Sequence, residues 1–301
     1  MNGAPIDSTP SSSPSVPVAE KPATRDPSTL PKKGSRYGGT GLWSMYYVAD
    51  VAFDDKNQNV KHTARLATGE KVTFYLSQEQ SKSALMEASI RHTDRSGKVR
   101  VGTLVHGVWQ ELPEGAYGLG NRKNPLVPWV HVAADQSLYP FGSRVYLPEA
   151  DGKTTPDGKV VDGHFWVGDT GSAIKGRLRF DLFVGDHKVF SEMMVRVKTI
   201  PHKFDCYVEP PPSVPKAIRP DNPLGMHELL KRLDCFKTPE AANAVPCPYF
   251  SKFSDEMKDA LITFQKRYKD IPPAEYGCPF GAVTYWFLSV EGKNLTVKAN
   301  K

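Results

Sequence analysis

The chain has 301 residues, 39% of them hydrophobic, and a formal charge of +6 at pH 7. That length suits about two domains, and the lack of any apolar run of about 18 residues or more excludes a membrane-spanning helix. The modest positive charge suits an acidic polymer without choosing among them. Lys and Arg form no clustered tract beyond short pairs, which argues against nucleic acid as the partner.

Residues 1–36 are dominated by Pro, Ser, Ala and Thr and cannot bury enough apolar surface to offset their ordering entropy, so they read as a disordered leader. A basic start and an apolar stretch are missing there, so no secretory signal is expected. Residues 37–205 carry short alternating or compact apolar runs punctuated by Gly, Asp and Asn. Strands are expected at 42–53, 71–76, 99–105, 144–149, 164–169, 179–185 and 191–200. One helix is expected after Ser77, with Leu85, Met86 and Ile90 as its apolar stripe. Many short strands with one small helix argue for a closed barrel. The Pro-rich stretch at 206–223 reads as a stiff connector.

From 224 to 301 the period changes to that of helices. Met226, Leu229, Leu230 and Leu233 share one face, with Asp221 as a possible cap. Met257, Leu261, Phe264 and Tyr268 share another, capped by Ser254, and a third helix is expected over 282–290. Cys206, Cys235, Cys247 and Cys278 form no CxxC pair and have no His at zinc-finger spacing, so neither metal nor cofactor is expected. Two disulfides, in any of three pairings, or free buried thiols both suit them.

Three aspartates stand in distinctive settings: Asp135 in VAADQSLYPFGSRVYLPEADG, Asp169 in VGDTGSAIKG and Asp181 in RLRFDLFVG. Asp135 precedes a turn, where a carboxylate accepts backbone N–H groups. Asp169 precedes Thr170-Gly171, a sharp turn at which glycine can take a positive φ. Asp181 lies in a strand beside Phe180, Leu182 and Phe183, where desolvation raises a carboxyl pKa, and Asp169 is a candidate to add to that shift.

These three blocks, in this order, resemble the 3D domain of the MltA-type lytic transglycosylases, enzymes that cleave the glycan strands of bacterial peptidoglycan. The resemblance implies a six-stranded double-psi β-barrel with an active-site groove across one face, and makes Asp181 the catalytic acid. It implies that one carboxyl acts twice: as acid toward the glycosidic oxygen, then as base toward the sugar's C6 hydroxyl, giving 1,6-anhydro-muramyl ends. Asp169 is expected to support that acid. Asp135, Thr170, Gly171, Ser172 and Lys175 are candidate substrate contacts, with Asp135 chiefly structural. Tyr46, Tyr47, Trp129, Tyr139 and Trp166 are candidates to stack on sugar, whereas His131, His164 and His187 read as ordinary polar residues. The C-terminal region resembles the three-helix peptidoglycan-binding module at Phe264, Gln265, Gly277, Gly281, Thr284 and Leu288; a plain helical subdomain packed on the barrel is the alternative.

Three functions follow. The first is a lytic transglycosylase acting on peptidoglycan in the periplasm. The second is a non-catalytic, expansin-like wall-binding protein. The third is a hydrolase in which Asp169 serves as the second carboxylate. For a muralytic enzyme without a signal or a lipid anchor, two deliveries are expected: injection as an antibacterial effector through a contractile (type VI) machine, with a periplasmic immunity protein in the producer, or release as a phage lysin.

Overall fold

The computed structural model describes residues 34–52, 58–94, 96–194, 200–244 and 253–299. One long strand, β1 (Ser35–Asp50), takes part in two sheets and organises both. It begins inside the expected leader, at Ser35. Over most of its length it runs parallel to β10 (Arg179–Asp186) and antiparallel to β11 (His202–Glu209). β11 pairs with β8 (Arg144–Tyr146), β8 with β9 (His164–Asp169), β9 with β7 (His131–Ala133), and β7 returns to β10. The ring of six closes without a free edge, as expected for the double-psi barrel. Alternate side chains fill it: Trp43 and Met45 from β1, Phe165 and Val167 from β9, and Phe180, Leu182 and Val184 from β10.

A register shift between Tyr46 and Tyr47 ends this alternation. Ala49 and Asp50 then pair with β4 (Ser89–Thr93) and start a second sheet. It continues through β5 (Val99–Val105) and β6 (Val108–Glu111) to β2 (Val60–Arg65) and β3 (Lys71–Leu76). The long segment between β1 and Asp135 builds this sheet. Between β3 and β4 lies α1 (Gln78–Glu87), which Ser77 caps in a capping box with Gln80. The expected stripe is not its buried face: Leu85 and Met86 are 52% and 70% exposed, and Ile90 belongs to β4. Ser81 and Ala84 face inward instead, small enough to let the helix lie close to the sheet.

The expected strand at 191–200 is overturned. Its first residues belong to α2 (His187–Met194), and 195–199 lie outside the described residues. Val189, Phe190 and Met193 recur at helical spacing and pack on the barrel core; so short an apolar run fits either period. β11 runs to Glu209, past the expected boundary at 205, and carries Cys206 into the barrel core.

Among the described residues the remaining α-helices are α3 (Pro223–Arg232), α4 (Pro239–Asn243), α5 (Asp255–Gln265) and α6 (Ala282–Ala299). Ser254 caps α5 as expected, but Asn222 rather than Asp221 caps α3, accepting the Leu224 and Gly225 N–H groups. Met226, Leu229, Leu230, Met257, Leu261 and Phe264 form one core with Val283, Trp286 and Leu288, and Phe141 and Trp166 of the barrel region join it. Cys206, Cys235 and Cys278 are free thiols; Cys247 lies outside the described residues.

Candidate active site

The alternation of β10 decides where Asp181 points. Phe180 and Leu182 face into the barrel, so Asp181 looks outward with Arg179 and Phe183. Only Phe183, of the three apolar neighbours, shares its face. In register beside Asp181 stand two small residues, Ser44 on β1 and Ala133 on β7. They leave the carboxyl open to a groove of about 770 Å3, which segments of the second sheet and the loop around Asn121 also line. Ser44 Oγ donates to Asp181 Oδ1 at 2.6 Å and accepts from Arg179 Nη1 at 2.6 Å. Burial raises the Asp181 pKa above the usual carboxylate range, against the Ser44 hydroxyl and the Arg179 charge, which lower it.

Asp169 ends β9 on the same groove. Its Oδ1 accepts the Thr170 N–H at 2.8 Å and the Asn121 N–H at 3.0 Å, and its Oδ2 accepts the Tyr46 hydroxyl at 3.1 Å. It therefore fastens three walls: the turn after β9, the loop around Asn121, and β1. Burial still pushes its pKa up to about 6 in spite of these donors. Burial, then Asp169 and Asp181, hold the Tyr46 hydroxyl well above its ordinary range, so it remains a donor.

Thr170, Gly171 and Ser172 line the groove. Gly171 does not take a positive φ; its missing Cβ makes room for Ile174, whose Cγ1 would lie 2.9 Å from one. Asp135 and Lys175 do not line the groove. The Asp135 carboxylate accepts the Ser137 N–H at 3.1 Å, its hydroxyl at 2.7 Å and the Gly176 N–H at 2.9 Å, which ties down the loop after Asp169. Those bonds, that of Gly176 foremost, hold its pKa low. The cations on the groove are Arg179 and Lys123. Among the expected aromatics, Tyr46 and Tyr47 border it, while Trp129, Tyr139 and Trp166 pack in the cores.

Glu87, like Asn121, Lys123 and Arg179, is a groove residue that the sequence reading missed. It ends α1, and its Oε2 accepts the Tyr47 N–H at 3.3 Å, just where the β1–β10 register shifts. Burial, with the Asp181 charge in support and the Tyr47 N–H opposing, pushes its pKa up to about 7. A signal did exist: an acid in the last turn of a helix opposes the macrodipole, and that turn carries no basic residue.

Residues 130–198 match the family model of the 3D domain. This chain carries a 3D domain. The 3D domain runs from β7 into α2 and contains Asp135, Asp169 and Asp181; β1 and β11 close its barrel from outside the matched segment. No curated protein matches the chain. Among solved structures the chain is similar to E. coli MltA with bound chitohexaose, at 12% identity over 57% of this chain and 72% of that one, with a TM-score of 0.42. It is similar to the membrane-bound lytic murein transglycosylase of Agrobacterium tumefaciens at 13% identity over 58% and 76%, TM-score 0.44. Against MltA of Neisseria gonorrhoeae the figures are 13% over 57% and 73%, TM-score 0.37.

Proposed function

We propose that the groove cleaves peptidoglycan glycan strands as a lytic transglycosylase, with Asp181 as the single acid–base group. The observation that carries this reading is a half-buried carboxyl, its pKa raised by burial, that opens onto a groove of about 770 Å3 from within a 3D domain. In the first half of the reaction the Asp181 proton passes to the glycosidic oxygen, the C1–O bond breaks, and its electron pair stays with the leaving sugar. The resulting carboxylate is stabilised by the Ser44 hydroxyl and, through it, by Arg179. In the second half the C6 hydroxyl oxygen bonds to C1 and its proton returns to Asp181, which regenerates the acid without water. Asp169 holds the groove walls in place, and Thr170 and Ser172 offer hydroxyls to the sugars. Arg179 and Lys123 suit the carboxylates of lactyl groups and stem peptides.

One observation favours a second reading, hydrolysis: Glu87 is a third titratable carboxyl on the groove, beside Asp181 and Asp169, and one that is able to activate water. Purified protein on isolated sacculi, with products read by mass, separates the two. Transglycosylation yields anhydro-muramyl ends, hydrolysis yields reducing ends, and Asp181→Asn should abolish either by about 100-fold or more. An unchanged rate in Asp181→Asn would overturn the assignment. The same reading puts the site of action at the cell wall. For delivery we propose an injected effector, with a periplasmic immunity protein as partner, or else a phage lysin.

A further inference from the structure

A buried polar cluster joins the C-terminal helices to the barrel. His131 on β7 and Glu275, before α6, are both fully buried, with His131 Nε2 3.1 Å from Glu275 Oε1. The surrounding donors decide where the proton sits. The Val127 N–H donates to His131 Nδ1 at 3.0 Å, so Nδ1 is the acceptor and Nε2 carries the ring hydrogen. Glu275 then receives four donors: His131 Nε2–H, the Val283 N–H at 3.1 Å, the Thr284 N–H at 2.8 Å and the Thr284 hydroxyl at 2.7 Å. Four donors and no acceptor match a carboxylate, and the two backbone donors belong to the first turn of α6, where negative charge is favoured.

Four of the residues that resemble a peptidoglycan-binding module, Gln265, Gly277, Gly281 and Thr284, serve this cluster. Gln265 Nε2 donates to Thr284 Oγ1 and to the Glu275 carbonyl, and Gln265 Oε1 accepts the Gly277 N–H. A Cβ on Gly281 would run into Glu275 Oε2. Toward the barrel, the His131 ring lies against β9: a Cβ on Gly168 would meet its Cγ and Cδ2 at 3.1 Å. Gly168 immediately precedes Asp169. Two residues beyond His131, Ala133 pairs with both Asp169 and Asp181.

We propose that Glu275 and His131 are positioning residues for the groove: through this pair the C-terminal helices brace the Gly168–Asp169 end of β9, and so form part of the catalytic scaffold rather than a separate wall-binding arm. What they hold in place is the set of bonds that Asp169 makes to Asn121, Thr170 and Tyr46. The kinetic part of this proposal rests on the transglycosylase reading; the structural part does not.

The test uses the full chain with Glu275→Ala, and with Glu275→Gln and His131→Asn, which retain more of the side-chain volume and carry the test if the first fails to fold. Amide hydrogen exchange is followed at Thr170 and Asn121, whose N–H groups bond to Asp169, with the β2–β3 ladder as the internal control. Exchange at the two amides should accelerate by about tenfold or more while the control is unchanged. Release of anhydro-muropeptides from sacculi should lose roughly 10- to 100-fold in kcat, the scale of a small misplacement at a reacting centre, with KM moving by less than about threefold. Wild-type exchange at Thr170 and Asn121 together with wild-type kcat, despite a lowered Tm, would overturn the proposal and leave the pair as a packing latch. If the wild-type chain itself releases no anhydro-muropeptides, the transglycosylase reading is what fails, and the exchange data alone decide the bracing.

Discussion

Replacing Glu87 with Gln tests the electrostatics of the groove. Gln keeps the length of the side chain and an oxygen for the Tyr47 N–H, but it never ionises. Burial, aided by Asp181, lifts the Glu87 pKa from 4.5 to about 7 in the folded chain. The folded protein therefore holds a proton there that the unfolded chain has released, so stability falls as pH rises from about 4.5 to about 7. At about 1.4 kcal/mol per pH unit the full rise is worth about 3 kcal/mol, and water reaching a half-buried side chain reduces this to roughly 1–3 kcal/mol. The gain in stability of Glu87→Gln over wild type should be smallest at pH 4, grow through neutrality and level off above about pH 7. In thermal unfolding that is a rise of about 2–8 °C in the Tm difference between pH 4 and pH 8.5. A Tm difference that stays constant across this range would refute the reasoning, since it would mean that the Glu87 carboxyl ionises as freely in the folded chain as in the unfolded one.

Ser44→Ala removes the hydroxyl that lowers the Asp181 pKa and links it to Arg179. Activity that needs protonated Asp181 is lost as pH rises through its pKa, so in this variant the alkaline limb of the kcat/KM profile should move to higher pH and the maximal rate should fall severalfold; an unmoved limb would count against Asp181 as the acid. Lys123→Ala, which takes a cation from the groove, should raise KM on sacculi by roughly two- to fivefold and steepen less with salt, whereas Lys175→Ala should leave KM unchanged because that side chain does not line the groove.

Much of the barrel was legible because its strands carry their pattern locally. The expected strands at 71–76, 99–105 and 164–169 have the bounds observed, and Ser77 and Ser254 cap the helices they precede. β7, three residues long, is too short for any period to show, whereas β8 occupies the first three residues of the strand expected at 144–149. α2 hid because SEMMV satisfies a strand as readily as a helix. At the site, Asp169 and Asp181 were found as members of a motif. Glu87 was not, because it comes from the second sheet's helix, some fifty residues before the first block of that motif.

By itself the order of residues determined which groups are available: three aspartates in distinctive turns and strands, a glutamine and glycines at module spacing, and alternation that builds a closed barrel. Tertiary structure alone decided what each one faces. Strand alternation turned Phe180 and Leu182 inward and Asp181 outward, a register shift in β1 presented the Tyr47 N–H to Glu87, and a contact across 144 positions made an ordinary-looking His131 the partner of Glu275. The physical reason is that burial and charge act through space, so a pKa or a buried bond depends on neighbours that the chain brings together only on folding.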